Sequence, residues 1–137
     1  MKLSEKFGYT AVKAVELIQK GISKSPKDAW EKAGYQILEK KVYVEKPCPK
    51  NAILGLCEEG LVKGVPRGEY TKSEKNKKYA LKAFEKLQED PLIKNDIKEF
   101  WRIVGPKPTI SHNYQLNVVI QLMKHNLLDT KKSNPRV

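Results

Sequence analysis

The chain has 137 residues, of which 39% are hydrophobic and 31% are charged. This length and balance predict one globular domain, because a chain of this size can bury a core without disulfides or a metal. Its apolar runs are far shorter than the roughly 18 residues of a membrane-spanning helix, and its first residues lack an apolar leader core. We therefore expect a cytoplasmic protein with no membrane segment and with both cysteines reduced.

Basic residues outnumber acidic residues by 27 to 16, which gives a net charge of +11. This excess favours an anionic partner, such as nucleic acid, a nucleotide or an acidic protein surface. Nearly half of it lies in residues 61–82, which hold seven basic and two acidic side chains. Only three of the basic residues are arginine, the usual reader of guanine edges. The pattern therefore fits phosphate contact without base recognition, or a lysine-rich composition with no ligand.

Apolar spacing predicts helices in the first half of the chain. One helix has a buried stripe at helical spacing: Ala11, Ala14, Val15 and Ile18. Gly21 ends it. A second helix begins after a predicted N-cap at Ser25 and buries Trp30. The string KVYVEKPCP, at 41–49, is rich in β-branched residues and proline, and predicts an extended connector with one short strand near residues 42–45.

The same spacing predicts four further helices, and hence an all-α fold of about six. The third runs from Pro49 to Glu59 and the fourth from Ser73 to Glu89. The last two are a fifth over 93–105, with Ile97, Trp101 and Val104 inward, and a sixth that opens at Ser111 or Asn113 and ends near His125. Residues 1–128 form a single helical domain on this prediction, and residues 129–137 form a disordered polar tail.

The second half of the chain resembles the first. AVKAVELI, from residue 11, matches ALKAFEKL, from residue 80, at four of eight positions. AWEKAG and FWRIVG share their tryptophan and glycine, and NAILGLCEEGLV aligns with NVVIQLMKHNLL. Chance similarity between amphipathic helices is the alternative. We predict an internal duplication, with three-helix units at 9–62 and 79–128 that share one core and are joined by a basic linker at 63–78.

The predicted repeat also pairs two helix ends. Gly60 aligns with Asn126, and these residue types best tolerate the left-handed conformation just past a helix. Each is then followed by a leucine that contacts a leucine in the last turn, as a Schellman cap requires. The predicted leucine pairs are Leu56–Leu61 and Leu122–Leu127.

The strings CPKNAILGLCEEGLVKGV and PRGEYTKSEKNKKYALKA resemble a family of small bacterial or phage proteins of unknown function. The resemblance extends to AVKAVELIQKGISKSPKDAWEKA and SHNYQLNVVIQLMKHNLL, so that it covers most of residues 9–128. It implies a bacterial or phage source. It brings no catalytic residue with it, since the family has no assigned activity.

The basic linker is the leading candidate site. Basic side chains interleaved with an aromatic ring are suited to a phosphate-rich ligand, although charged runs often only face solvent. The predicted phosphate-binding residues are Lys63, Arg67, Tyr70, Lys72, Lys75, Asn76, Lys77 and Lys78. The polar positions of the sixth helix offer a second set, for a nucleic-acid groove: Asn113, Gln115, Gln121, Lys124 and His125.

Other chemistries have weaker support. A helix-turn-helix is disfavoured because the connector before the third helix is longer than the turn of that motif. The possible zinc ligands, whose spacing fits no known pattern, are Cys48, Cys57, His112 and His125. No catalytic motif is present, and Glu58 and Glu59 are expected to diverge on their helix. We expect no metal, no cofactor and no enzymatic activity.

The sequence thus predicts a small basic nucleic-acid-binding protein. The alternative is a phage or mobile-element protein that counters host defence, either by binding a protein or by sequestering a nucleotide signal. A pocket ringed by Arg67, Tyr70 and Lys72 would favour nucleotide capture. An apolar patch would favour a protein partner.

Overall fold

The computed structural model describes residues 1–106 and 114–130, and in these residues it contains seven α-helices, a short 3₁₀ helix and no strand. The helices are α1 (Leu3–Gln19), α2 (Pro26–Ile37), α3 (Lys41–Val44), α4 (Pro47–Glu58), α5 (Glu74–Glu89), α6 (Ile97–Val104) and α7 (Gln115–Lys124), with the 3₁₀ helix at Pro91–Asn95. The predicted all-α class is confirmed. No described helix is long and apolar enough to cross a membrane.

Side-chain caps explain where several helices begin. Ser25 Oγ accepts a hydrogen bond from the Asp28 amide at 3.2 Å, as predicted for the start of α2. Ser73 Oγ accepts one from the Asn76 amide and so begins α5. Asp96 caps α6 in the same way, which was not predicted. As a result, the predicted fifth helix over 93–105 is divided into the 3₁₀ helix and α6.

The strand predicted near residues 42–45 is wrong, because this segment forms the short helix α3. The Val44 carbonyl accepts a hydrogen bond from Trp30 Nε1 at 2.8 Å. The Val44 side chain is buried over Gly34, where an added Cβ would lie 2.9 Å from Val44 Cγ1. Packing against α2 therefore overrides the β-propensity of Val42 and Val44, which have no neighbouring strand to pair with in the described chain.

Other boundaries shift by a few residues. The third predicted helix begins at Pro47 rather than Pro49, and the sixth begins at Gln115. Its two predicted openings, at Ser111 and Asn113, lie outside the described residues. So does the predicted tail beyond Thr130. Just before it, the Asp129 amide donates a hydrogen bond to the Leu61 carbonyl at 2.8 Å.

The two predicted Schellman caps are confirmed. Gly60 has φ +71° and Asn126 has φ +58°, both in the left-handed region. The Leu61 amide donates to the Leu56 carbonyl at 3.2 Å. The Leu127 amide donates to the Leu122 carbonyl at 2.9 Å. Both ends therefore satisfy their last carbonyls by the same bond pattern.

The segments after these caps pair with each other across the centre of the molecule. Val62 and Leu128 form an isolated antiparallel bridge. The Lys63 amide donates a hydrogen bond to the Leu127 carbonyl at 2.9 Å, and the Asp129 amide donates one to the Leu61 carbonyl at 2.8 Å. Each bond maps onto the other when the halves are exchanged at an offset of 66 residues, as expected about a pseudo-twofold axis.

Helix packing follows the same exchange. The main contacts of α1 are with α2 and α7, whereas α5 contacts α4 most extensively. The first helix of each half thus packs on the third helix of the other. At one crossing Gly8 faces Gln121, and at the other Gly55 faces Lys77, where an added Cβ would lie 2.7 Å from Lys77 Cα. The glycine is on the first helix in one crossing and on the third helix in the other.

Both halves contribute to one hydrophobic core. Trp30 is fully buried and Trp101 is 7% exposed, so their predicted role as core anchors is confirmed. The element order of the two halves agrees, except that the first contains the additional helix α3 and the second the 3₁₀ helix after α5. Duplication of an ancestral unit stays a prediction that these equivalences support.

The cap geometry predicts how substitutions act at the two helix ends. Gly60→Ala should lower the free energy of unfolding by about 1 kcal/mol, because a Cβ is strained in the left-handed region. Asn126→Gly should change it by less than about 0.5 kcal/mol. Urea denaturation measures both. Lys20→Ala is the control, since the C-cap of α1 has φ −85°. An equal loss for Gly60→Ala and Lys20→Ala would contradict the assignment.

Candidate nucleic-acid interface

The predicted linker is held against α4 by hydrogen bonds to its last residues. Glu58 Oε1 accepts from the amides of Tyr70 and Thr71, at 2.9 and 3.3 Å. The Glu59 carbonyl accepts from the Arg67 guanidinium at 3.2 Å. Thr71 Oγ1 donates to Asn51 Oδ1 at 2.7 Å. Asn51 lies about two helical turns before Glu58 on α4. The linker therefore runs along α4 instead of extending into solvent.

Lys77 lies under this segment and is 4% exposed. Its ammonium group is 2.5 Å from Glu58 Oε2 and 2.8 Å from Glu59 Oε1. We expected the two glutamates to diverge, and that expectation is wrong. Glu58 is the last residue of α4 and Glu59 its C-cap, so both side chains reach the same cation on the crossing helix α5.

The charges of this cluster stabilise one another. Partial burial by itself raises the pKa of Glu58. Hydrogen bonds from Lys77, Tyr70 and Thr71 together lower it by more, so that the pKa lies below its ordinary value of 4.5. Desolvation by itself lowers the pKa of Lys77, and the hydrogen bonds to Glu58 and Glu59 raise it above the ordinary value. The cluster is ionised at neutral pH.

The structure separates the eight predicted phosphate-binding residues into two groups. Lys77 is occupied by its ion pairs, and Asn76 is buried, with its Oδ1 accepting from Gln115 Nε2 at 3.1 Å. Tyr70 is half-buried against the core, and its hydroxyl donates to the Pro66 carbonyl at 2.6 Å. Lys63 Nζ donates to Asn126 Oδ1 at 2.9 Å. The exposed members are Lys63, Arg67, Lys72, Lys75 and Lys78.

Lys75 and Lys78 belong to a lysine stripe on α5 that the sequence prediction missed. Lys82 continues the stripe at a spacing of four residues, so the three side chains lie on one face of the helix. All three are exposed and form no ion pair or hydrogen bond in the described part of the chain. Ending the candidate site at residue 78 removed Lys82, although the i, i+3, i+7 spacing was readable in the sequence.

The stripe ends where α6 approaches. The pKa of Glu99 on α6 is lowered first by its hydrogen bond to Arg102 and also by the nearby charge of Lys86. Lys86, the next lysine on that face of α5, thus has an acidic neighbour. The lysine stripe comprises Lys75, Lys78 and Lys82, with Lys72 just before the helix, and none of these four forms an ion pair in the described chain.

A hollow of about 600 Å³ lies beside the linker and is lined by the three predicted nucleotide-capturing residues, Arg67, Tyr70 and Lys72. Its other charged residues are Lys77 and four glutamates, Glu58, Glu59, Glu69 and Glu74. The carboxylates outnumber the cations. Such a lining disfavours a di- or triphosphate, since like charges face each other at short range.

The polar face of α7 is only partly the open groove-binding surface that we predicted, since Lys124 and His125 are exposed but the other described members are packed. Gln115 is 3% exposed and bonded to Asn76. Gln121 packs against Gly8 of α1. His125 Nδ1 lies 2.9 Å from the Gln121 carbonyl, and Asn113 lies outside the described residues. Helix α7 therefore uses much of its polar face for packing.

Metal chemistry has no support in the described residues. No group of three potential metal ligands occurs among them, and His112 lies outside them. Cys57 is fully buried in the core, and burial raises the pKa of its thiol. It packs as a small apolar side chain.

The Lys77 cluster predicts a large effect of one substitution. Lys77→Met should lower the free energy of unfolding by about 3–5 kcal/mol, because it leaves two carboxylates together without their cation. Lys78→Met, on the exposed face of the same helix, should change it by less than about 0.5 kcal/mol. Urea denaturation at neutral pH compares the two. Equal losses would show that the buried ion pairs are not important for stability.

The lowered pKa of Glu58 predicts acid sensitivity. The unfolded chain takes up a proton at Glu58 at a higher pH than the folded chain does, so stability falls as the pH decreases through the folded pKa. Between about pH 5 and about pH 3, Glu58→Gln should therefore lose less stability than the wild type. Denaturation at a series of pH values tests this. Parallel pH profiles for both proteins would refute it.

One comparison with known proteins identifies a family. No curated protein and no solved structure matches the chain. A family model described as a family of unknown function, DUF6979, matches residues 4–129, and thus nearly all of the described chain. The protein belongs to this family, DUF6979.

Proposed function

We propose that the protein is a non-enzymatic nucleic-acid-binding protein that contacts phosphates through Lys72, Lys75, Lys78 and Lys82. The observation that carries the proposal is the lysine stripe on α5, with its three exposed ammonium groups and no neutralising partner in the described chain. Following the resemblance noted in the sequence, we propose a bacterial or phage source. We also propose a cytoplasmic site of action.

The geometry of the stripe suits a phosphate backbone. Side chains three or four residues apart on a helix have Cβ atoms about 5–6 Å apart. Each strand of a duplex carries one phosphate per about 3.4 Å of helix axis, and successive phosphates lie farther apart than this because the strand winds around that axis. Lysines at this spacing can therefore contact successive phosphates. Lysine supplies a flexible point charge without the planar fork that reads bases. Binding should therefore be independent of sequence and sensitive to salt.

Nucleotide sequestration, the alternative mechanism, is less well supported. The hollow beside the linker does contain Arg67, Tyr70 and Lys72, but its glutamates outnumber its cations. The Tyr70 hydroxyl also donates a hydrogen bond to the Pro66 carbonyl, and the side chain packs against the core. Its ring is therefore engaged within the protein. A long polyanion on the exposed face of α5 can contact Lys75, Lys78 and Lys82, which lie outside this lining.

The test is a gel-shift titration at several salt concentrations. Wild-type affinity should fall as salt rises, because neutralising phosphates releases counterions. The triple variant Lys75→Ala, Lys78→Ala, Lys82→Ala should bind duplex more weakly and reduce the salt slope by about three units. Its free energy of unfolding should change by less than about 0.5 kcal/mol per site.

A matched control removes the same charge elsewhere. Lys20, Lys24 and Lys27 are exposed residues around the start of α2. Replacing these three with alanine should leave the salt slope nearly unchanged. If both triple variants weaken binding alike, only the net charge matters and α5 is not the site. If the wild type does not bind at low salt, the proposal fails.

A further inference from the structure

An apolar groove lies between α5, the 3₁₀ helix and α7, away from the lysine stripe. It has a volume of about 130 Å³ and is lined by Leu87, Pro91, Lys94, Ile120, Met123 and Lys124. The two lysines are exposed and stand among apolar side chains. Leu92, next to the groove, is 73% exposed. The groove could hold one medium-sized apolar side chain.

The equivalent face in the first half of the chain is covered. At the offset of 66 residues, Ile120 corresponds to Leu54 and Met123 to Cys57. Leu54 is 3% exposed and Cys57 is fully buried, whereas Ile120 and Met123 are only partly buried. Within residues 1–106 and 114–130, the two halves thus differ in whether a segment covers this face.

The linker is what covers it in the first half. Val65 is 6% exposed and joins the core, and Gln19 Nε2 donates to the Lys63 carbonyl at 2.9 Å. Further along, the linker is bonded to Glu58 and Asn51, which lie on the same face of α4 as Leu54 by their spacing. An extended segment with apolar side chains therefore fits this kind of face.

The charge at the equivalent position is reversed in the second half. Glu58 accepts backbone hydrogen bonds from the linker, and its counterpart in α7 is Lys124. Lys94 adds a second positive charge to the same groove. Neither lysine has an ion-pair partner within the described ranges. An occupant must therefore supply acceptors, and carboxylates bind ammonium groups most strongly.

We propose that the α5–α7 groove binds an extended acidic segment of a partner protein. One apolar side chain of the partner enters between Ile120 and Met123. Carboxylates beside it pair with Lys94 and Lys124. This interaction is independent of the proposed nucleic-acid binding, because it uses other residues on other elements.

The test uses blocked five-residue peptides and isotope-labelled methyl groups of Ile120 and Met123, observed by NMR. The probe is acetyl-Glu-Glu-Leu-Glu-Glu-amide. It should shift both methyl resonances saturably, with a dissociation constant of about 1 mM or tighter. The variant Lys94→Ala, Lys124→Ala should bind about fivefold more weakly. The variant Lys24→Ala, Lys27→Ala, with the same net charge, should bind like the wild type.

Control peptides separate the two parts of the proposal. A peptide with lysine in place of glutamate should not shift the methyl groups, and one with glycine in place of leucine should bind more weakly. The proposal is overturned if the lysine peptide binds equally well or if the acidic peptide causes no shift at about 1 mM. It is also overturned if truncation after Thr130, without peptide, shifts the methyl resonances, since the chain's own end would then occupy the groove.

Discussion

The buried ammonium group of Lys77 is the constraint on which the arrangement of the linker depends. It neutralises Glu58 and Glu59 at the end of α4, and it lies where α5 crosses α4 over Gly55. With its second oxygen, Glu58 holds the amides of Tyr70 and the next residue. One ion-pair cluster thus joins two helices from different halves and orders the chain between them. Because a buried charge without its partner is costly, the loss of either helix contact would destabilise the whole cluster.

The two halves have equivalent helix caps and equivalent hydrogen bonds at their contact, but they differ at the outer face of their third helices. The caps at Gly60 and Asn126 and the paired bonds between Leu61 and Asp129 follow the pseudo-twofold relation closely. The segments that cover the third helix of each half do not follow this relation in the described chain. In the first half the linker covers α4, whereas in the second half the described chain leaves part of α7 open, with Lys124 where Glu58 would be. The proposed partner groove follows from this difference, and the lysine stripe on α5 is a separate surface.

The sequence predicted a region for the candidate site but not the structural role of each residue in it. Charge density pointed to residues 63–78, and Lys75 and Lys78 are indeed exposed. Nothing in the local pattern distinguished them from Lys77, whose partners are 18 and 19 residues away in the chain and meet it only at a helix crossing. Lys82 could have been included from its helical spacing alone. The acidic lining of the hollow beside the linker became evident only when distant segments were brought together.

For the fold, the sequence by itself determined what depends on neighbours in the chain. Helix periodicity, the cap at Ser25 and the paired left-handed positions at Gly60 and Asn126 are local, and they were predicted correctly. Tertiary structure decided the rest. Val44 lies in a helix because its carbonyl accepts a hydrogen bond from the Trp30 indole N–H and its side chain packs on α2 over Gly34. The exchange of third helices between the halves depends on contacts between residues far apart in sequence, which hydrophobic spacing does not encode.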